Sequence, residues 1–174
     1  MSAMIERLLV NDKQLYLTLN AVSKSNAIAR IMHVVTHLGA TATAIFATLL
    51  ALFLDYTYQI PIGMETLITL IISQIIVQTI KRIVNRPRPY KSLSIANVTQ
   101  PPTCAYSFPS GHTACAFTIA LSYASGMPSL FFPLMFIAFI VGMSRIILGY
   151  HYPTDVLIGM LLAYLSHIWA LMLI

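Results

Sequence analysis

Five apolar segments, each close to the length of a membrane-spanning helix, constrain this chain more than any other feature. They cover approximately 31–54, 62–80, 110–126, 128–148 and 154–174. A helix needs about 20 apolar residues to cross the hydrocarbon core of a bilayer. Hydrophobic residues make up 58% of the chain and charged residues only 9%, which is more apolar surface than a water-soluble domain can bury. The sequence therefore predicts an all-α integral membrane bundle of about five transmembrane helices.

The first thirty residues predict a helix at the membrane surface rather than a further span. Between residues 4 and 20, apolar side chains recur at roughly helical spacing, while Asp12 and Lys13 interrupt any spanning run. This pattern is typical of an amphipathic helix that lies in the membrane interface. We therefore expect an N-terminal interfacial segment over 1–30 and a transmembrane domain over 31–174.

Half of the ten basic residues form one cluster after the second apolar segment: Lys81, Arg82, Arg86, Arg88 and Lys91. On charge alone, such a cluster is explained by contact with lipid headgroups beside the membrane. A membrane-embedded fold offers no basic stripe large enough for nucleic acid. We therefore expect membrane lipids as partners and no nucleic acid, and the sequence predicts no particular oligomeric state.

Three short strings combine cations with histidines and a carboxylate: Lys81…Arg88-Pro89, Pro109-Ser110-Gly111-His112 and Ser144-Arg145…His151…Asp155. The first string follows the second apolar segment, and the second string opens the third segment. The last string joins the fourth segment to the fifth. Counting membrane crossings therefore predicts that all three strings lie on the same side of the membrane.

The residue types in these strings favour a phosphate site. A phosphate group carries close to two negative charges and three acceptor oxygens, and arginine offers a planar fork that matches those oxygens in pairs. A helix that starts at Ser110 and Gly111 presents free amides and the positive end of its dipole to an anion. We therefore predict that Lys81, Arg88, Ser110, Gly111 and Arg145 bind substrate phosphate.

Two histidines and one aspartate in the same strings suit nucleophilic catalysis. Asp155 can accept the Nδ1–H of His151, which leaves Nε2 of that ring free to attack phosphorus. His112 can then act as the general acid that protonates the departing oxygen. We expect no metal and no cofactor, because the two histidines supply both attack and proton transfer. The alternative for either histidine alone is a hydrogen-bonded interfacial residue.

The three strings together resemble the signature of the type 2 phosphatidic acid phosphatase superfamily, which shares its active site with vanadium haloperoxidases. In that signature, Lys, six residues and Arg-Pro are followed by Pro-Ser-Gly-His. Ser-Arg, five residues, His, three residues and Asp come last. Every fixed position and spacing is present between Lys81 and Asp155. Arg86-Pro87 offers a second register, but Thr79 stands where that register requires lysine.

This resemblance covers roughly residues 30–174 and implies a membrane lipid phosphatase that forms a phosphohistidine on His151, later hydrolysed by water. Many members of the family have six spans, and this chain resembles a shorter five-span form with a surface helix in place of the first span. Similar small bacterial members act on undecaprenyl pyrophosphate, phosphatidylglycerol phosphate or phosphatidic acid. We favour undecaprenyl pyrophosphate because of the compact form.

Charge and resemblance disagree about the side of the membrane that the site faces. All ten Lys and Arg residues fall on the side of the three strings, and such an excess usually marks the cytoplasmic face. The resemblance implies the outer face, where bacterial relatives usually act. We expect the outer face, since chemistry already explains three of the cations, Lys81, Arg88 and Arg145.

Three other functions compete with lipid phosphate hydrolysis. A phosphotransferase would pass the phosphoryl group from His151 to another lipid instead of water. A haloperoxidase would use the same pocket with vanadate, although five apolar spans argue against it because those relatives are soluble. A non-enzymatic lipid-binding protein would not need the complete set of His112, His151 and Asp155.

Overall fold

The computed structural model describes residues 3–94, 96–98, 100–102 and 104–174. Within these ranges the chain forms eight α-helices and no β-strand. The helices are α1 (Ala3–Ala21), α2 (Asn26–Thr36), α3 (Thr41–Tyr58), α4 (Gly63–Val84), α5 (Pro89–Ser92), α6 (Gly111–Gly126), α7 (Phe131–Ile147) and α8 (Pro153–Leu173). The predicted all-α membrane bundle is therefore confirmed.

Four segments of the described chain are long and apolar enough to cross a bilayer: Thr41–Tyr58, Gly63–Val84, Pro128–Ile147 and Pro153–Leu173. The remaining predicted span, the third at 110–126, corresponds to α6, which has only 16 residues. Helix α6 packs against α3, α4, α7 and α8, and most of its side chains are buried. The bundle is thus built around a short central helix, and the number of spans stays a prediction.

The predicted first span, 31–54, is interrupted in the structure. A 3-10 turn at His37–Gly39 separates α2 from α3, so only α3 has the length of a span. A Cβ atom on Gly39 would lie 2.6 Å from the carbonyl oxygen of His112 and 2.8 Å from Val141 Cγ1. Glycine thus lets the bend touch the start of α6. A hydropathy window averages over such a bend and cannot detect it.

Helix α1 is amphipathic, but its inner face is polar. Asp12, Tyr16 and Asn20 follow one another at four-residue spacing and are all buried. The Asn20 side-chain amide donates to the carbonyl oxygen of Ile147 at 2.9 Å, and the Tyr16 ring lies 5.4 Å from that of Tyr152. Apolar side chains such as Leu8, Leu9 and Leu15 are exposed, as suits contact with lipid. Helix α1 therefore exposes apolar side chains on one face and packs its polar face against the end of the bundle.

The two ends of the bundle are held by different contacts. In the first turn of α4, the two carboxylate oxygens of Glu65 accept from Ser125 Oγ at 2.6 and 2.8 Å. Glu65 Oε1 also lies 3.3 Å from His167 Nδ1. This group joins α4, α6 and α8. At the other end, a Cβ atom on Gly159 would lie 2.7 Å from the carbonyl oxygen of Ser110 and 3.3 Å from Thr113 Cβ. Such close approach through small residues is common between membrane helices.

We predict that Gly159→Ala lowers the melting temperature of the detergent-purified protein, because the added methyl group would push α8 away from the start of α6. Overpacking of this kind typically costs about 1–3 kcal/mol. Thermal unfolding followed by circular dichroism measures the effect. Leu165→Ala on the half-exposed face of the same helix is the control. Equal melting temperatures for the wild-type and Gly159→Ala proteins would contradict the close packing.

Candidate active site

The three strings meet around a cavity of about 280 Å³ at the end of the bundle where α4 finishes and α6 begins. Six of the eight predicted site residues line it: Lys81, Arg88, Gly111, His112, Arg145 and His151. Ser110 and Asp155 lie directly behind this lining and are fully buried, with 0% exposure. The strings that are far apart in the sequence are therefore brought together, as the count of crossings predicts.

The cavity concentrates buried positive charge. Lys81, Arg88 and Arg145 are 7%, 2% and 4% exposed. No salt bridge joins any of these three side chains to a carboxylate in the described part of the chain. Burial of a charge is costly unless it is paired. The arrangement therefore suits an anion as the missing partner.

Arg88 is fixed by main-chain acceptors and directed toward His151. Its Nε donates to the carbonyl oxygen of Cys104 at 2.7 Å, and its Nη1 donates to that of Tyr150 at 2.9 Å. The same Nη1 lies 3.3 Å from His151 Nε2. The backbone of Arg88 is extended, with φ −71° and ψ 151°, as expected for a residue that precedes proline.

Arg145 occupies the last turn of α7, and its guanidinium is only partly hydrogen-bonded. Its Nη1 donates to Thr36 Oγ1 at 2.6 Å, and its Cζ lies 4.5 Å from the ring centroid of Tyr150. Its Nε is buried and has no hydrogen-bond partner among the described residues. Since Thr36 ends α2, the bend after this helix helps to set the position of the guanidinium.

The start of α6 forms another wall of the cavity. Ser110 caps the helix, since its Oγ accepts hydrogen bonds from the Thr113 hydroxyl at 2.8 Å and from the Thr113 amide at 3.5 Å. A Cβ atom on Gly111 would have only Val77 Cγ1 within 4 Å, at 3.7 Å. The backbone at Gly111 is therefore open, and His112 in the same turn lines the cavity. A helix start with free amides is suited to bind an anion.

The His151 ring is almost completely buried, with 1% exposure. Arginine has only donors, so the contact of Arg88 with Nε2 requires that this nitrogen accepts and that the proton lies on Nδ1. Burial lowers the pKa of His151 well below 6.5, and the charges of Arg145, Arg88 and Lys81 lower it further. The imidazole is therefore neutral at physiological pH, with the Nε2 lone pair directed toward the cations.

Asp155 holds the opposite side of the His151 ring. Its Oδ2 lies 3.5 Å from His151 Nδ1, which is longer than an N–H···O hydrogen bond. The same oxygen accepts the Tyr152 amide at 2.8 Å, and Oδ1 accepts Arg86 Nη1 at 2.7 Å. The carboxylate therefore lies beside the ring and caps α8, while His151 Nδ1 has no hydrogen-bond partner among the described residues.

Sequence reasoning missed three residues that support the site: Thr36, Asp12 and Arg86. Thr36 orients Arg145, while Arg86 bridges Asp12 and Asp155. The sequence places Arg86 in the basic cluster and in a second, mismatched register, and neither predicts a supporting role. The four-residue spacing of Asp12, Tyr16 and Asn20 is a usable signal, because it places three polar side chains on one face of the helix.

The described residues contain no group of three or more His, Cys, Asp or Glu side chains placed to hold a metal ion. The donors that face the cavity are guanidinium, ammonium, amide and imidazole groups. These groups are ligands for an oxyanion.

Comparison with known proteins agrees with this geometry. The model of the PAP2 superfamily matches residues 62–174, and this chain belongs to that superfamily. It is 30% identical to an undecaprenyl-diphosphatase of Sulfolobus acidocaldarius over 113 residues, which cover 64% of this chain and 55% of the relative. It is 40% identical to a decaprenylphosphoryl-5-phosphoribose phosphatase of Mycolicibacterium smegmatis over 84 residues, which cover 46% of this chain and 42% of the relative.

The fold extends further than these sequence matches. The crystal structure of Aquifex aeolicus LpxE superimposes with a TM-score of 0.80 at 28% identity, covering 91% of this chain and 93% of that one. By contrast, this chain spans about half the length of the two relatives named above. The helical arrangement is thus shared over nearly the whole chain.

We predict that the His151 imidazole stays neutral, with its proton on Nδ1, as the pH falls from 7.5 through 6.5. The depressed pKa has this sign because burial and three cations oppose a further positive charge. Imidazole ¹⁵N chemical shifts of histidine-labelled protein in detergent report both properties, and His151→Ala identifies the signal. A titration midpoint at or above 6.5 would contradict the prediction.

We also predict that inorganic phosphate raises the melting temperature, because an anion that binds only the folded protein stabilises it. Arg145→Gln should remove most of this shift, since it takes one buried charge from the cavity. The control is sodium chloride at the same ionic strength. A shift that chloride reproduces, or that Arg145→Gln leaves intact, would speak against an anion site.

Proposed function

We propose that this chain is a membrane lipid phosphatase that works through a phosphohistidine on His151. The observation that carries the proposal is the convergence of Lys81, Arg88 and Arg145, buried and without carboxylate partners in the described structure, around the accepting Nε2 of one neutral histidine. A phosphate group supplies the negative charge that this cluster lacks. It also brings an electrophilic phosphorus within reach of the nitrogen.

The first step forms a bond between His151 Nε2 and the terminal phosphorus and breaks the bond from that phosphorus to the oxygen of the departing lipid, which leaves as an alcohol from a monoester and as a lipid monophosphate from a pyrophosphate. The three cations and the amides at the start of α6 bind the phosphoryl oxygens, where charge is largest, while Ser110 caps that helix from behind the lining of the cavity. The negative charge of the bound phosphate favours the protonated form of His112, which then donates a proton to the departing lipid oxygen. Asp155 holds the Nδ1–H of His151 as positive charge develops on the ring.

The second step returns the protein to its starting form. A water molecule attacks phosphorus, the bond to His151 Nε2 breaks, and inorganic phosphate leaves. His112, which is now neutral, takes the proton from the attacking water. Both steps use side chains and main-chain amides at this end of the bundle, with water as the second nucleophile, and need no metal or cofactor.

We infer that the substrate carries a long apolar chain, with undecaprenyl pyrophosphate favoured and phosphatidylglycerol phosphate or phosphatidic acid next. Two relatives are named for polyprenyl substrates, which supports this order. Apolar grooves between helices offer a path for such a chain. One of about 200 Å³ lies between α3, α6 and α7, and its lining includes Leu38, Ala47 and Ala138. We further propose that the site faces outward.

Phosphate release by detergent-purified protein against a panel of these lipids, with a metal chelator present, tests the proposal. Wild-type protein should release phosphate, and His151→Ala should lose release by at least the ~10³-fold typical for a missing nucleophile. His37→Ala is the matched control, because His37 is exposed and absent from the lining of the cavity. A phosphorylated lipid acceptor in place of free phosphate would indicate the phosphotransferase instead. Absence of any release from a folded wild-type protein would overturn the proposal.

A further inference from the structure

The guanidinium of Arg86 lies behind the candidate site, between two carboxylates from different helices. Its Nη1 donates to Asp155 Oδ1 at 2.7 Å and to Thr154 Oγ1 at 2.8 Å. Its Nη2 donates to Asp12 Oδ2 at 2.8 Å. The Cζ atom lies 4.0 Å from the ring centroid of Tyr152. Arg86 is not among the described residues that line the cavity. It contacts the residues behind the site and not the cavity itself.

These contacts determine the orientation of the Asp155 carboxylate. Arg86 binds Oδ1, while the Tyr152 amide binds Oδ2 at 2.8 Å. With both oxygens occupied, the carboxylate cannot rotate freely. Its Oδ2 is thereby kept 3.5 Å from His151 Nδ1.

Asp12 gives Arg86 a second negative partner and connects α1 to the start of α8. Its Oδ1 accepts the Thr154 amide at 2.9 Å, and its Oδ2 accepts the Thr154 hydroxyl at 2.6 Å. The Asp12 side chain is only 2% exposed. Arg86 is therefore shared between two carboxylates. The attraction of Asp12 weakens the hold of Arg86 on the Asp155 charge, so that this charge can still act on the His151 ring.

We propose that Arg86 and Asp12 are positioning residues for the His151–Asp155 pair, and that α1 therefore contributes to the site through Asp12. This inference rests on the proposed function, because it concerns the step in which His151 attacks phosphorus. Arg86 holds the orienting carboxylate without touching substrate, and Asp12 holds Arg86. Loss of either residue should therefore slow the chemical step and leave phosphate binding unchanged.

The test compares Arg86→Gln with Arg82→Gln, which removes an exposed arginine from the last turn of α4. Partners that orient a catalytic or ligating group typically contribute about 10–100-fold. We expect Arg86→Gln to lower kcat by a factor of that size at unchanged KM, with unchanged inhibition by inorganic phosphate. Arg86→Lys should recover part of kcat, since lysine keeps the charge but binds as a single point. Arg82→Gln should behave as wild type.

A second measurement does not depend on turnover. Imidazole ¹⁵N shifts should show that Arg86→Gln converts part of His151 from the Nδ1–H form to the Nε2–H form, because Asp155 is no longer held. If wild-type protein releases no phosphate from any lipid, the proposed function fails. The tautomer shift alone then decides whether Arg86 positions Asp155.

Asp12→Asn covers the case in which Arg86→Gln does not fold. This isosteric change keeps an acceptor for the Thr154 amide, removes the charge opposite Arg86, and replaces the oxygen that accepts from Arg86 Nη2 with an NH2 group. We expect a smaller loss of kcat at unchanged KM. The inference is overturned if every folded variant matches Arg82→Gln both in kcat and in the His151 tautomer. A raised KM or weaker phosphate inhibition in Arg86→Gln also overturns it, since Arg86 would then bind substrate directly.

Discussion

Three buried positive charges without carboxylate partners among the described residues are the constraint on which the rest of this structure depends. Lys81, Arg88 and Arg145 come from different parts of the chain, and their mutual repulsion must be overcome by the fold that holds them. Main-chain carbonyls hold Arg88, and the Thr36 hydroxyl holds Arg145. Neither arrangement neutralises the charge. The fold thus keeps a strong positive field at one end of the bundle, and burial together with that field keeps His151 in its neutral form.

The carboxylates are kept apart from this field. Asp155 and Asp12 share Arg86, a fourth basic side chain that lies outside the lining of the cavity. The His151 ring separates the two groups, with Nε2 toward Arg88 and Nδ1 toward Asp155. The imidazole is therefore polarised along one direction, as a nucleophile for phosphorus requires.

The bundle and the convergence of the three strings could be predicted from the sequence, because both depend on patterns that are visible in the sequence itself. Long apolar segments fix the helices, and the parity of crossings brings Lys81, His112 and His151 to one end. The bend at His37–Gly39 could not be predicted, since it depends on the contact of Gly39 with the His112 carbonyl. Composition gives no information about such a contact between distant residues.

The role of Arg86 was missed for a related reason. In a basic cluster, an arginine that binds substrate and an arginine that binds another part of the protein look the same in the sequence. The contact of Arg86 with Asp12, 74 residues away along the chain, is what distinguishes Arg86 as the second kind. Pairings at this distance depend on packing, and local patterns do not encode them.

The short central helix has a consequence for the bilayer. Helix α4 has 22 residues and α6 has 16, a difference in length of roughly 9 Å. Gly126 at the end of α6 packs against Ile62 at the start of α4, so the two helices are level there and the deficit falls at the cationic end. The cationic end of α6 is thus recessed below the level at which α4 ends. A lipid headgroup that binds there, as proposed, must descend to meet it, or the surrounding bilayer must thin locally.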